Sequence, residues 1–182
     1  MICGFLPALN LVSEKEAGTI EQINVSPVSR LTFTLSKLIP YWIIGLLVLT
    51  LAMVIAWVAY GLVPVGSIWI IYVVTLLFSF VMSGLGVSIA NCSSTMQQSM
   101  YVMFFFIIIF QLMSGLMTPI DSMPQWAQYI TYVIPPRYFI EIMRSVYLKG
   151  SMFSELWQDF SMLAVFAVFV CLAAMITYKK QS

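Results

Sequence analysis

The chain has 182 residues, 62% of them hydrophobic and 8% charged, with a net charge of +1 and a mean hydropathy of +0.99. Soluble domains carry about 45–50% apolar and about 25% charged residues, so this composition excludes a water-soluble enzyme, and its apolar content excludes a disordered segment. The near-neutral balance excludes a polybasic nucleic-acid binder, and the lack of any histidine excludes imidazole catalysis and His-ligated metals. The composition is that of an integral membrane protein, and the spans below predict an all-α, polytopic transmembrane helix bundle.

Residues 1–12 are apolar but too few to cross a hydrocarbon core of about 30 Å. They lack the charged start and small-residue cleavage site of a signal peptide. They read as the last turns of a truncated span whose beginning is missing.

Residues 13–37 are polar. Ser13 and Glu16 have the spacing of a capping box, which predicts a helix starting at Ser13. Ala17, Ile20 and Ile23 then recur at helical spacing opposite Glu14, Lys15, Glu21 and Gln22, and Pro27 ends the helix. A second short helix is expected through Arg30, Phe33 and Lys37. A surface helix lying on lipid is one reading of the first segment. However, its three acids against one base would be repelled by anionic headgroups, which favours a protein partner with a complementary groove.

Four stretches are long and apolar enough to span: 38–62, 67–90, 99–117 and 160–178. The first has Pro40 in its expected opening turn. Lys15, Arg30, Lys37, Lys179 and Lys180 fall on one side of this four-span topology, and Arg137, Arg144 and Lys149 on the other. The positive-inside rule therefore puts 13–37 and the C-terminus in the cytosol. The second span carries Ser79, Ser83, Gly84, Gly86 and Ser88 at small-xxx-small spacings that permit close helix packing. Met100, Met103, Gln111 and Ser114 of the third suit either a substrate path or plain packing. Cys3, Cys92 and Cys171 suggest no disulfide framework.

Residues 118–159 form the long loop on the other side. Trp126, Tyr129, Ile130 and Val133 make one apolar face, Pro135 and Pro136 break it, and a second stripe follows. This pattern predicts two short helices lying in the outer leaflet or dipping into it as re-entrant helices, acting as a brace or a gate. Arg137, Glu141 and Arg144 share a face at i, i+4 and i+7, which predicts an internal ion-pair stripe.

The string Glu14-Lys15-Glu16-Ala17-Gly18-Thr19-Ile20-Glu21-Gln22, with Ser26-Pro27, Lys37 and Pro40 after it, resembles the permease subunit of type-2 ABC exporters. Ser114-Gly115, Pro119, Pro136-Arg137, Arg144 and Lys149-Gly150 follow in the order that the family shows. The likeness covers nearly the whole chain but only the C-terminal half of such a permease. It implies six-span permeases, each paired with a second copy or a paralogue above two ATPase subunits in a bacterial inner membrane. It also implies that Glu14, Lys15, Glu16, Ala17, Gly18, Thr19, Ile20 and Glu21 belong to a coupling helix docking on the ATPase. Export of drugs, lipids or similar amphiphiles follows from the same likeness, with ATP and Mg bound by the partner and no cofactor by this chain. The sequence lacks the GxxxxGK[ST] loop of nucleotide-binding chains, so an active transporter of this kind draws its energy from another subunit. The competing readings are a partial permease or non-transporting scaffold, a passive channel, and a membrane-embedded enzyme. The spans offer the last no histidine or acid, and only an adjacent Ser36–Lys37 pair.

Overall fold

Backbone N–H and C=O groups in hydrocarbon have no water to bond, so an apolar chain satisfies them within helices. The structure, a computed structural model, describes residues 1–18, 30–151 and 155–179, and all regular structure among them is helical. The helices are α1 (Ile2–Glu16), α2 (Arg30–Tyr60), α3 (Ile68–Cys92), α4 (Met96–Met113), α5 (Gln125–Thr131), α6 (Pro135–Arg144) and α7 (Trp157–Lys179). Four stretches have the length and composition to cross a membrane: Thr34–Tyr60, Ile68–Cys92, Met96–Met113 and Trp157–Ala174.

Several boundaries differ from the sequence expectation, and the second short helix expected through Arg30, Phe33 and Lys37 is instead the opening of α2, continuous with the span. No helix begins at Ser13. Helix α1 runs unbroken to Glu16, and the carbonyl of Ser13 accepts a bond from the Ala17 N–H at 3.0 Å. The change from apolar to polar at residue 13 marks a change of surroundings along one helix rather than a new helix start. Gly18 then turns the chain in the left-handed region at φ +70°, which glycine adopts without a Cβ clash. Thr19, Ile20, Glu21 and Pro27 lie outside the described residues. Pro40 is likewise not in an opening turn, because α2 starts at Arg30 and passes through it. One absent N–H costs less there than exposing a whole helix end to lipid.

Helix α3 is the hub. It packs most extensively on α7 and α1, and also meets α2, α4 and α6. Its small residues take different neighbours. Gly86 faces α1, where an added Cβ would lie 2.3 Å from the Gly4 carbonyl oxygen. Gly84 faces Val170 of α7, and Ser83 accepts the Trp42 indole N–H of α2 at 3.0 Å. Ser79 borders Gly45 of α2, whereas the Ser88 hydroxyl turns back onto the Gly84 carbonyl at 2.9 Å. Close backbone approach of this kind drives association where lipid is as apolar as leucine. By contrast, α2 has none of its most apolar window buried.

At the far end from residue 13, Pro135 and Pro136 open α6, where their missing N–H groups are needed least. Tyr138, Ile142 and Val146 bury into a core with Ile71, Phe78 and Leu163. Helix α5 turns Trp126 and Tyr129 outward, with Val133 just beyond it also exposed, and buries Ala127 and Thr131 instead. Helix α6 widens into a π-turn over Ser145–Lys149. The carbonyls of Val146 and Tyr147 there accept the N–H groups of Gly66 and Val65, at 3.0 and 3.2 Å, from the α2–α3 connection.

Candidate functional site

Helix ends leave orphan groups, carbonyls at the C-terminus and amides at the N-terminus, with matching partial charges. The α3–α4 turn sets one of each side by side, and the last turn of α1 lies against it. The Lys15 ammonium donates to the carbonyls of Ala90 and Asn91, at 2.8 and 3.1 Å, in the closing turn of α3. The next residue, Glu16, accepts the N–H of Met96 at 2.9 Å in the opening turn of α4. The preceding one, Glu14, forms an ion pair with Lys37 of α2. Three consecutive side chains thus fasten three other helices.

The signs match the chemistry, with a cation on a carbonyl end and an anion on an amide end. Each such contact contributes about 0.3–1 kcal/mol when exposed and up to about 2 when partly buried. Lys15 is half-buried, and desolvation lowers its pKa from the ordinary lysine value, partly offset by the neighbouring Cys92. The second carboxylate oxygen of Glu14 is buried without a hydrogen-bond partner, which makes that group dependent on Lys37. The turn is itself capped. Thr95 accepts the Gln98 N–H at 3.2 Å, and Gln98 Oε1 accepts from the Ser94 N–H at 3.2 Å. Beneath the clasp, Leu11, Val12, Leu38, Val87, Ala90 and Met103 form a packed cluster.

The structure thus brings Glu14, Lys15 and Glu16 together as internal ties, with Ala17 and Gly18 exposed at the end of the helix. Sequence reasoning missed Lys37 as the partner of Glu14, and also the backbone groups of Ala90, Asn91 and Met96. The signal it passed over was the alternating Glu-Lys-Glu beside a predicted interhelical turn.

The expected ion-pair stripe does not form. Arg137 donates to Thr131 Oγ1 and lies over the Tyr132 ring, 4.2 Å from its centre. Arg144 donates to the Gly115 carbonyl at 3.2 Å. Among the described residues, the ion pair formed is Glu14–Lys37, and Glu141 is exposed. Residues on one face of a short helix took partners from the preceding segments, where backbone and hydroxyl oxygens were nearer. Nor do the four residues of the expected path line one channel. Met103 is 2% exposed within the packed cluster and Met100 is exposed, while Gln111 and Ser114 lie at the opposite end of α4 beside a cavity.

A family described as ABC-2 family transporter protein matches residues 1–176. The chain belongs to the ABC-2 transporter family. The probable multidrug ABC transporter permease YbhR of Escherichia coli (strain K12) is 30% identical to this ABC-2 chain over 152 residues, which is 84% of the chain and 41% of YbhR. The probable multidrug ABC transporter permease YbhS of the same strain is 31% identical over 83% of the chain and 40% of its own length. The inner membrane transport permease YhhJ, also of that strain, is 27% identical over 95% of the chain and 47% of its own length. The ABC-2 chain spans less than half the length of these curated relatives.

Proposed function

We propose that the chain forms part of the permease of an ATP-driven exporter, moving a drug-like, lipid or other amphiphilic substrate out of the cytoplasm or inner leaflet. The observation that carries the reading is the clasp: a single helix end, Glu14–Lys15–Glu16, holds α2, α3 and α4 at once. A force applied to the chain just beyond Gly18 reaches all three without passing through soft packing. The partner is an ABC ATPase subunit that binds ATP and Mg and contacts the segment 17–27, on the cytosolic face of a bacterial inner membrane. A second permease copy or paralogue completes the transporter, and the C-terminus is cytosolic.

In this mechanism, nucleotide-driven closure of the ATPase displaces the 17–27 segment. The clasp tilts α2, α3 and α4 as a unit, which biases a two-state bundle by a ligand bound elsewhere. At the other end, the helices α5 and α6 dip into the outer leaflet and are linked to the moving spans through Gly66 and Val146. The relatives YbhR and YbhS are named probable multidrug ABC transporter permeases, which supports a drug-like substrate.

The test is reconstitution of the full-length permease with its ATPase in vesicles, following extrusion of a fluorescent amphiphile. ATP-dependent extrusion that stops with an ATPase-dead partner supports the reading. Movement that continues with the dead partner assigns the chain to a passive path, and no movement in an assembled complex assigns it to a scaffold.

A further inference from the structure

Helix α6 does not close with ordinary i→i+4 bonds. In an α-helix the carbonyls of Val146 and Tyr147 would accept the N–H groups of Gly150 and Ser151. Here both of those N–H groups go to the carbonyl of Ser145 instead, that of Ser151 at 3.3 Å. The widened turn thereby releases two carbonyls, and the α2–α3 connection takes both. Gly66 donates to Val146 at 3.0 Å and Val65 to Tyr147 at 3.2 Å. The Tyr147 hydroxyl adds a third tie, donating to the Leu62 carbonyl at 3.2 Å. The two backbones meet at glycines: a Cβ on Gly66 would lie 2.7 Å from the Val146 carbonyl oxygen, and one on Gly150 would lie 2.9 Å from Val65 Cγ1. Gly150 also ends the turn in the left-handed region at φ +67°, a conformation costly to any residue with a Cβ. Val146 is buried in the core beside Ile71 and Leu163, whereas Leu148 and Lys149 are exposed. A rearrangement of the turn is therefore taken up beyond Val146, by residues that carry no packing.

We propose that residues 145–151 form a two-state turn, in which widening of the helix and docking on residues 62–66 are one event. Docked, the turn is π-helical and its Val146 and Tyr147 carbonyls serve the connection. Undocked, Gly150 and Ser151 return their N–H groups to those carbonyls and the turn closes as an α-helix. A carbonyl left without a donor in hydrocarbon is heavily penalised, and this exchange leaves none on α6 in either state. The amides of Val65, which is exposed, and Gly66, which is half-buried, turn to water on release. Helix α6 thus leaves and rejoins the outer ends of α2 and α3 at low cost, as a bistable element does in a conformational cycle. The proposal goes beyond the exporter reading, which supplies an occasion for the switch but is not required for its existence.

The test is residue-resolved amide hydrogen exchange on the full-length permease in its complete transporter, in nanodiscs without ATP, with rates corrected for intrinsic exchange. In the wild type the amides of Val65 and Gly66 are expected to open together. Those of Gly150 and Ser151 are expected to exchange at least about tenfold more slowly, because they change acceptors without being released. Gly150→Ala penalises the left-handed end of the turn, and Gly66→Ala drives a Cβ against the Val146 carbonyl. Each is expected to speed exchange at positions 65 and 66 by about tenfold while positions 150 and 151 stay slow. In Gly150→Ala the substitution lies on α6 and the amides that respond lie on the connection, so the response reads the coupling itself. A single rate for all of these amides in the wild type, or their speeding together in either variant, shows a turn that merely frays and overturns the proposal. Unchanged exchange at positions 65 and 66 in both variants also overturns it. If neither variant assembles, the pairing of rates in the wild type decides. Because no ATP is present, paired exchange in a complex that fails to pump would leave the switch standing and remove only the exporter reading.

Discussion

The ammonium of Lys15 lies 2.8 Å from the carbonyl oxygen of Ala90, bridging the last turn of α1 to the last turn of α3. Lys15 and Ala90 are 75 residues apart in sequence, and the bond brings two helix C-termini together on one cation. Each C-terminal end carries partial negative charge, so without a cation their approach would be repulsive. Lys15 is therefore the element that allows α1 and α3 to converge at this point.

Replacing Lys15 with Met keeps the length and the apolar stem but removes the ammonium that donates to the Ala90 and Asn91 carbonyls. Unsatisfied buried acceptors cost about 1–3 kcal/mol each, and Ala90 and Asn91 are 0% and 1% exposed. A drop in the detergent-solubilised melting temperature is expected, larger than for Lys149→Met, since Lys149 is exposed. Equal melting temperatures for the two variants would show that Lys15 carries no such load.

Glu14 and Lys37 form a pair whose worth lies in being complete. Removing either partner breaks the ion pair at a partly buried position, and breaking a buried pair costs about 3–5 kcal/mol. These residues are 28% and 23% exposed, so the loss should fall below that range. Glu14→Lys and Lys37→Glu are each expected to destabilise, and the double exchange to recover most of the loss. The double-mutant cycle should give a coupling of about 0.5–3 kcal/mol. Additive losses in the cycle would dissolve the pair.

The glycines of α3 separate by what they face. An alanine at Gly86 would drive its Cβ to 2.3 Å from the backbone oxygen of Gly4, whereas one at Gly84 would meet the Val170 side chain at 2.6 Å. Backbone gives way less readily than a valine rotamer, and overpacking costs about 1–3 kcal/mol. Gly86→Ala should therefore cost distinctly more thermal stability than Gly84→Ala. The reverse order would mean that α1 and α3 are less closely packed than described.

The spans were readable because hydrocarbon imposes a crude requirement, about 20 uncharged residues, that the sequence meets or fails without reference to neighbours. Finer features were lost where the deciding partner is remote or has no side chain. The spacing of Ser13 and Glu16 fits a capping box, yet Glu16 caps α4 across 80 residues of sequence, because the nearest exposed amide belongs to another helix. Arg137 and Arg144 sit at correct ion-pair spacing from Glu141, but Thr131 and the Gly115 carbonyl reach them first. Small residues on α3 announced close packing. Which helix each would meet was set by geometry around the whole bundle.

The central claim is that the clasp transmits work from the ATPase to the spans, and the number of amphiphile molecules moved per ATP hydrolysed tests it most directly. The measurement compares the reconstituted wild-type transporter with a Glu14→Gln, Lys15→Met, Glu16→Gln variant that has first been shown to assemble. The account predicts that hydrolysis continues while molecules moved per ATP fall by about tenfold or more. An unchanged ratio in the assembled variant would contradict it.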